Sequence, residues 1–247
     1  MYIRFNERIV EKDSKRKFLL ILITIFPLLF GGAMYWLNKE HLPIYRIIGS
    51  EDNLIEWLQF LLFGASGIIS FILALKFRKK SKLMFWIFLF LSLGLIFVAG
   101  EEISWGERLF GIEAPYIFDG ETKLPVLNYN VQSEMNIHNF KAFHKRVGYM
   151  YLAIGAYACF AWVLLCIANK VFKFKKSIRK YLPFFTVPPY LVLYFFPLAI
   201  NLLPRRELGI APQDYEMAEF LLSLGVFICV LLYYEYFKET FGKESSK

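Results

Sequence analysis

Six stretches of roughly 20 predominantly apolar residues, parted by charged clusters, restrict this chain more than any other feature. They run approximately Phe18 to Leu37, Leu54 to Leu75, Leu83 to Gly100, Val147 to Ala168, Tyr181 to Leu203 and Tyr215 to Phe237. At about 1.5 Å per residue each helix reaches roughly 27–35 Å, enough for a hydrocarbon core of about 30 Å. Lipid offers no partner to backbone N–H and C=O groups, so blocks this long and this apolar are helices. The expected fold class is therefore all-α, a polytopic membrane bundle of six transmembrane helices. Composition agrees. The chain is 57% hydrophobic and 20% charged, against about 45–50% and about 25% in soluble domains. A soluble globular enzyme, a disordered chain and a secreted disulfide scaffold are excluded.

Basic residues set the orientation. The segments 1–17, 76–82, 169–180 and 238–247 carry 6, 5, 6 and 3 Lys or Arg, whereas the intervening segments hold the other nine. Acidic residues run the opposite way, with only six of 21 on the basic side. Both termini are expected to be cytoplasmic. The organisation is a basic segment over 1–17, a membrane domain over 18–237 with an outer loop at 112–146, and a tail over 238–247. The first block is read as a retained anchor, because it ends in Trp36-Leu37-Asn38-Lys39-Glu40 with no small-residue cleavage site. Cys159, Cys166 and Cys229 fall inside blocks and read as buried thiols. No nucleotide-binding glycine motif is present, so the partners expected are membrane lipids, a lipid-linked substrate or a membrane protein, and no nucleic acid.

The outward ends of the blocks gather acid. The second opens Glu51-Asp52-Asn53-Leu54-Ile55-Glu56-Trp57, and the sixth opens Asp214-Tyr215-Glu216-Met217-Ala218-Glu219. The third closes Gly100-Glu101-Glu102-Ile103-Ser104-Trp105-Gly106-Glu107-Arg108. Continued helix would place Glu101, Ser104 and Arg108 on one stripe, with Arg108 able to neutralise Glu101. Carboxylates near membrane depth are costly and normally face a cavity, a partner or the bundle interior. Glu101 and Glu102 are therefore candidate catalytic carboxylates in an outward-opening polar pocket. Trp57 and Trp105 read as an interfacial aromatic belt.

The outer loop adds the second cluster, Glu134-Met135-Asn136-Ile137-His138-Asn139-Phe140-Lys141-Ala142-Phe143-His144. On a helix Glu134 and His138 stand at i,i+4, the spacing of a ligand pair, with His144 joining after a bend. Imidazole with carboxylate suits zinc or another divalent transition metal. Glu134, His138 and His144 are thus candidate ligands for a divalent ion, zinc favoured. His41 reads as a loop residue. The fifth block holds five of the ten prolines between Pro183 and Pro204 and should be kinked or broken. It leads to Arg205 and Arg206, which with Arg108 are candidates for binding an anionic headgroup or phosphate.

The string Gly100 to Gly106, followed by Arg108-Leu109-Phe110-Gly111 and by Asn136-Ile137-His138-Asn139, resembles the uncharacterised bacterial multi-pass membrane proteins with a GEEISWGQR-type motif and a downstream N-x-Q-x-E-x-N-L-H-N motif. Glu107 and Ile137 depart from the Gln and Leu of those motifs. The resemblance covers about half the chain and implies a location in the bacterial cytoplasmic membrane. It brings no activity with it. A weaker resemblance, to intramembrane prenyl-protein and bacteriocin-processing proteases, rests on Glu101-Glu102 and Phe140-x3-His144. Gly106 stands there at the place of the motif arginine.

Three functions compete. The first is a metal-dependent hydrolase or transferase acting on a lipid or lipid-linked substrate at the outer face. The second is a non-catalytic accessory or structural membrane protein, for which Gly64-Ala65-Ser66-Gly67 and Gly155-Ala156 suit close helix packing. The third is a cation or proton transporter. The near absence of ionisable groups in the inner halves of most blocks speaks against it.

Overall fold

Four helices among the described residues are long and apolar enough to cross a membrane, over Phe18–Glu40, Leu54–Phe77, Lys82–Glu102 and Glu216–Lys238. Each coincides with an expected block to within a few residues. The computed structural model describes residues 14–49, 54–106, 116–119, 122–125 and 212–241, with the single positions Phe110, Ala153, Ala156, Tyr157, Phe160 and Tyr190. The expected spans at 147–168 and 181–203 lie outside the described residues apart from those single positions. In chain order the elements are α1 (Ser14–Glu40), α2 (Leu42–Ile48), α3 (Leu54–Phe77), α4 (Lys82–Glu102), β1 (Tyr116–Asp119), β2 (Thr122–Pro125) and α5 (Pro212–Phe241). The two strands pair antiparallel, Tyr116 opposite Pro125 and Asp119 opposite Thr122. The described residues are otherwise helical, as expected of an all-α chain, and this short hairpin falls within the segment read as the outer loop.

The chain divides into two compact units, one of residues 1–50 with 152–247 and one of residues 51–151. In the first, α1 is interrupted chemically at Pro27, which lies inside the helix and is buried. Proline has no N–H to give to the carbonyl four residues back, here Ile23. The Tyr190 hydroxyl donates to that carbonyl at 2.7 Å, and its ring stacks on Phe26. A side chain thus replaces the missing backbone donor, as an apolar surrounding demands. Phe30 meets Phe220 of α5, with ring centroids 5.2 Å apart. Further along α1 the chain turns at His41 into α2, whose second residue is Pro43. Pro is tolerated there because first-turn N–H groups have no partner within the helix. Tyr45 of α2 donates its hydroxyl to Asp214 in the first turn of α5. The end of α1 and the start of α5 are therefore at one level, and the two helices run antiparallel.

In the second unit α3 and α4 form an antiparallel hairpin. The linker Arg78-Lys79-Lys80-Ser81 closes on Phe77, whose carbonyl accepts from the N–H groups of Lys80 and Ser81. Ser81 caps α4 by accepting from the Met84 N–H. The buried face of α3 carries Ile55, Gln59, Phe63, Ser66, Gly67, Ser70, Leu73, Ala74 and Phe77, a repeat of three and four residues that marks one stripe of a helix. Its small members set the spacing. A Cβ on Gly67 would come within 2.7 Å of Ile96 Cγ1, and the Gly67 carbonyl accepts from Ser92 Oγ at 2.8 Å. Lipid tails are as apolar as leucine, so close backbone approach and interhelical hydrogen bonds hold such a pair together. The Gly64 to Gly67 stretch, read in the sequence as a packing surface, performs that role within the chain.

Candidate functional site at the end of helix α4

Helix α4 ends at Glu102, with Ile103 as its C-cap. Beyond it Ser104 (φ 46°), Trp105 (φ 54°) and Gly106 (φ 80°) are three consecutive left-handed residues. Left-handed backbone costs an L-residue roughly 1–2 kcal/mol because Cβ crowds a carbonyl oxygen. Only Gly106 avoids that penalty, and the Ser104 and Trp105 conformations must be held by their surroundings. The holding contacts surround one carboxylate. Trp105 Nε1–H donates to Glu101 Oε1. The indole lies on Gly100, where a Cβ would sit 2.8 Å from ring atom Cζ3. Its other neighbour is Phe97, edge to face at 5.4 Å. Gly106 answers a second steric demand, since a Cβ there would meet the Phe110 ring at 2.8 Å.

The result is a carboxylate only 4% exposed under an indole that is itself 42% exposed. Glu102, one residue on, is half-buried, and Ser104 is buried. Gln59 belongs to the same level. Gly64 of α3 faces Ala99 of α4, and in an antiparallel pair the residue five positions toward the start of α3 stands beside the turn. Gln59 is fully buried. It escaped the sequence reading, although a lone amide in an otherwise apolar span is the signal that marks it.

This geometry corrects one expectation. Glu101 and Ser104 do not share a continued helical stripe, because the helix stops at Glu102 and the backbone reverses hand at Ser104; Arg108, the third member of that expected stripe, lies outside the described residues. Trp105 is also more than a belt residue, for its N–H is committed to Glu101. His41 is the N-cap residue of α2, with its ring against Trp36 at 4.8 Å. On α5, Glu216 and Glu219 are both half-buried and stand one turn apart. Arg108, Glu134, His138, His144, Arg205 and Arg206 lie outside the described residues. Among the described residues no three His, Cys, Asp or Glu side chains group to hold a metal ion.

A second polar contact lies in the other unit. Burial, then the hydrogen bond to Asp214 and its negative charge, hold the Tyr45 hydroxyl well above the ordinary phenol range. Tyr45 therefore stays neutral and keeps donating at any physiological pH. No protein-family model, curated protein or solved structure matches the chain.

Proposed function

We propose that this integral membrane protein is a metal-dependent hydrolase or transferase of the bacterial cytoplasmic membrane, acting at the outer face on a lipid or lipid-linked substrate. In this reading six spans leave both termini in the cytoplasm. The observation that favours chemistry over a purely structural role is the turn after α4, where two non-glycine residues are held left-handed around a buried glutamate. Strained backbone of this kind gathers at working sites, because a scaffold alone gains nothing by keeping it.

Glu134, His138 and His144 would hold the ion, a donor set of imidazole and carboxylate that suits zinc. A bound divalent ion supplies a water acidic enough to react near neutral pH. Glu101, kept in one orientation by Trp105, contributes a carboxyl group of fixed direction. Glu102 takes up the proton as general base. Arg108, Arg205 and Arg206 grip an anionic headgroup, for which the planar guanidinium is the better-shaped cation.

Metal analysis of the detergent-purified protein tests this, wild type beside His138→Ala and Glu102→Gln. The ion should be present in wild type, lost in His138→Ala and kept in Glu102→Gln, with turnover lost in both variants. Absence of an ion from all three samples would overturn the proposal in favour of an accessory role, in which the outer loop binds a membrane partner.

A further inference from the structure

We propose that α2 lies in the plane of the membrane interface, with its Pro43, Ile44 and Ile47 face turned into lipid and its opposite flank clasped to α5 by Tyr45. Three observations carry this. First, α2 has seven residues, about 10 Å of helix, far too short to span. It follows the membrane-crossing α1 after a single residue, His41. Second, Tyr45 is buried and bonded to Asp214, two residues before the stretch of α5 that is apolar enough to cross. Gly49, at the end of α2, presses on the same helix so closely that a Cβ would stand 2.9 Å from Gln213 Cβ. Both ends of α2 are thereby tied to the mouths of two spans, which fixes its depth at the boundary between hydrocarbon and water.

Third, the exposed side of α2 is apolar. Ile44 is 49% exposed and Ile47 64% exposed. At about 100° per residue, Pro43, Ile47 and Ile44 cover one continuous arc, whereas Arg46 and Tyr45 fall to either side of it. A helix with such a face sinks it about 5–10 Å into the headgroup and acyl boundary. Neighbouring residues suit that level. Tyr35, Trp36 and Lys39 are exposed in the last turns of α1, and interfacial aromatic rings with cations beside them are the usual anchors at this depth.

The test uses the full-length protein with Cys159→Ala, Cys166→Ala and Cys229→Ala, reconstituted in phosphatidylcholine–phosphatidylglycerol vesicles. Bimane is attached through Ile44→Cys, Ile47→Cys or Arg46→Cys, one at a time. Nitroxide lipids carrying the spin label near the headgroup or deep in the acyl chain serve as quenchers. Emission at positions 44 and 47 should be lost chiefly to the shallow nitroxide, and emission at position 46 should be lost less. Quenching chiefly by the deep nitroxide would overturn the interfacial placement. No lipid quenching at either isoleucine position would show the face covered by protein, a second copy included, and would overturn it too. Adding Tyr45→Phe should blur the depth preference at position 47; an unchanged profile would overturn the clasp.

Discussion

Trp105 meets three demands with one side chain: it satisfies a buried carboxylate, covers a glycine and closes a left-handed turn. Gly100→Ala should push the indole off its seat, since the new methyl would stand 2.8–3.0 Å from three ring atoms, at a cost of about 1–3 kcal/mol for overpacking. Trp105→Phe keeps a ring and deletes the donor to Glu101, leaving a buried acceptor without that bond at a cost of about 1–3 kcal/mol. Because both changes break one contact, their losses should not add. Thermal unfolding in detergent of the two single variants and the double variant checks this, and additive losses would refute the shared contact. At Tyr45 the prediction concerns pH. The fold raises the hydroxyl above the unfolded phenol value of about 10, so it favours the protonated side chain. The stability gained is complete below that value and declines as pH climbs past it. The stability gap between wild type and Tyr45→Phe should be constant from neutral pH to about pH 10 and narrow above it, as read by chemical unfolding across that range. A gap that widens there would mean that the phenol is not held neutral.

Elements were legible in the sequence where one dimension is enough to specify them. Membrane-crossing length and hydropathy are properties of a contiguous stretch, so Leu54–Phe77 and Lys82–Glu102 could be placed to within a turn. The stop after Glu102 was less legible, because it depends on contacts among Trp105, Glu101 and Gly100 rather than on any stop residue before Gly106. The β1–β2 hairpin was missed for a different reason. Four-residue strands are too short for alternation to stand out, although Gly120-Glu121 between them is a glycine-first pair of the kind that two-residue hairpin turns favour. Proline in a span could be recognised as a lost donor, but not which side chain would replace it. At α1 the replacement is Tyr190, which yields a mutational cycle. Tyr190→Phe should strand the Ile23 carbonyl in an apolar surrounding and cost about 1–3 kcal/mol. Pro27→Ala restores an N–H four residues on, so in that background Tyr190→Phe should cost much less. Equal costs in both backgrounds, measured by unfolding in detergent, would mean that the hydroxyl does not compensate for the proline.

At the scale of the whole molecule, the charge pattern and the helices together make sidedness testable at three positions. The α3–α4 linker holds Arg78, Lys79 and Lys80 between two antiparallel membrane-crossing helices. The positive-inside bias predicts a cytoplasmic position for such a linker. On that bias the hairpin that follows α4 is predicted to lie outside. Both assignments are the same whether or not the proline-rich stretch before Arg205 crosses, because the two blocks at 147–168 and 181–203 either both span or both stay on one side if the terminal charge bias is to hold. The basic cluster Lys173-x-Lys175-Lys176 lies between those blocks, and it alone distinguishes six spans from four. Six spans return it to the cytoplasmic side. Four would leave its positive charge on the outer face, against the bias that orients every other segment. In a chain without its native cysteines, a membrane-impermeant maleimide applied to intact cells should label Thr122→Cys and spare Lys79→Cys and Lys176→Cys, both of which react once the cells are opened. Labelling at position 176 in intact cells would reduce the bundle to four crossings, and labelling at position 79 would invert it.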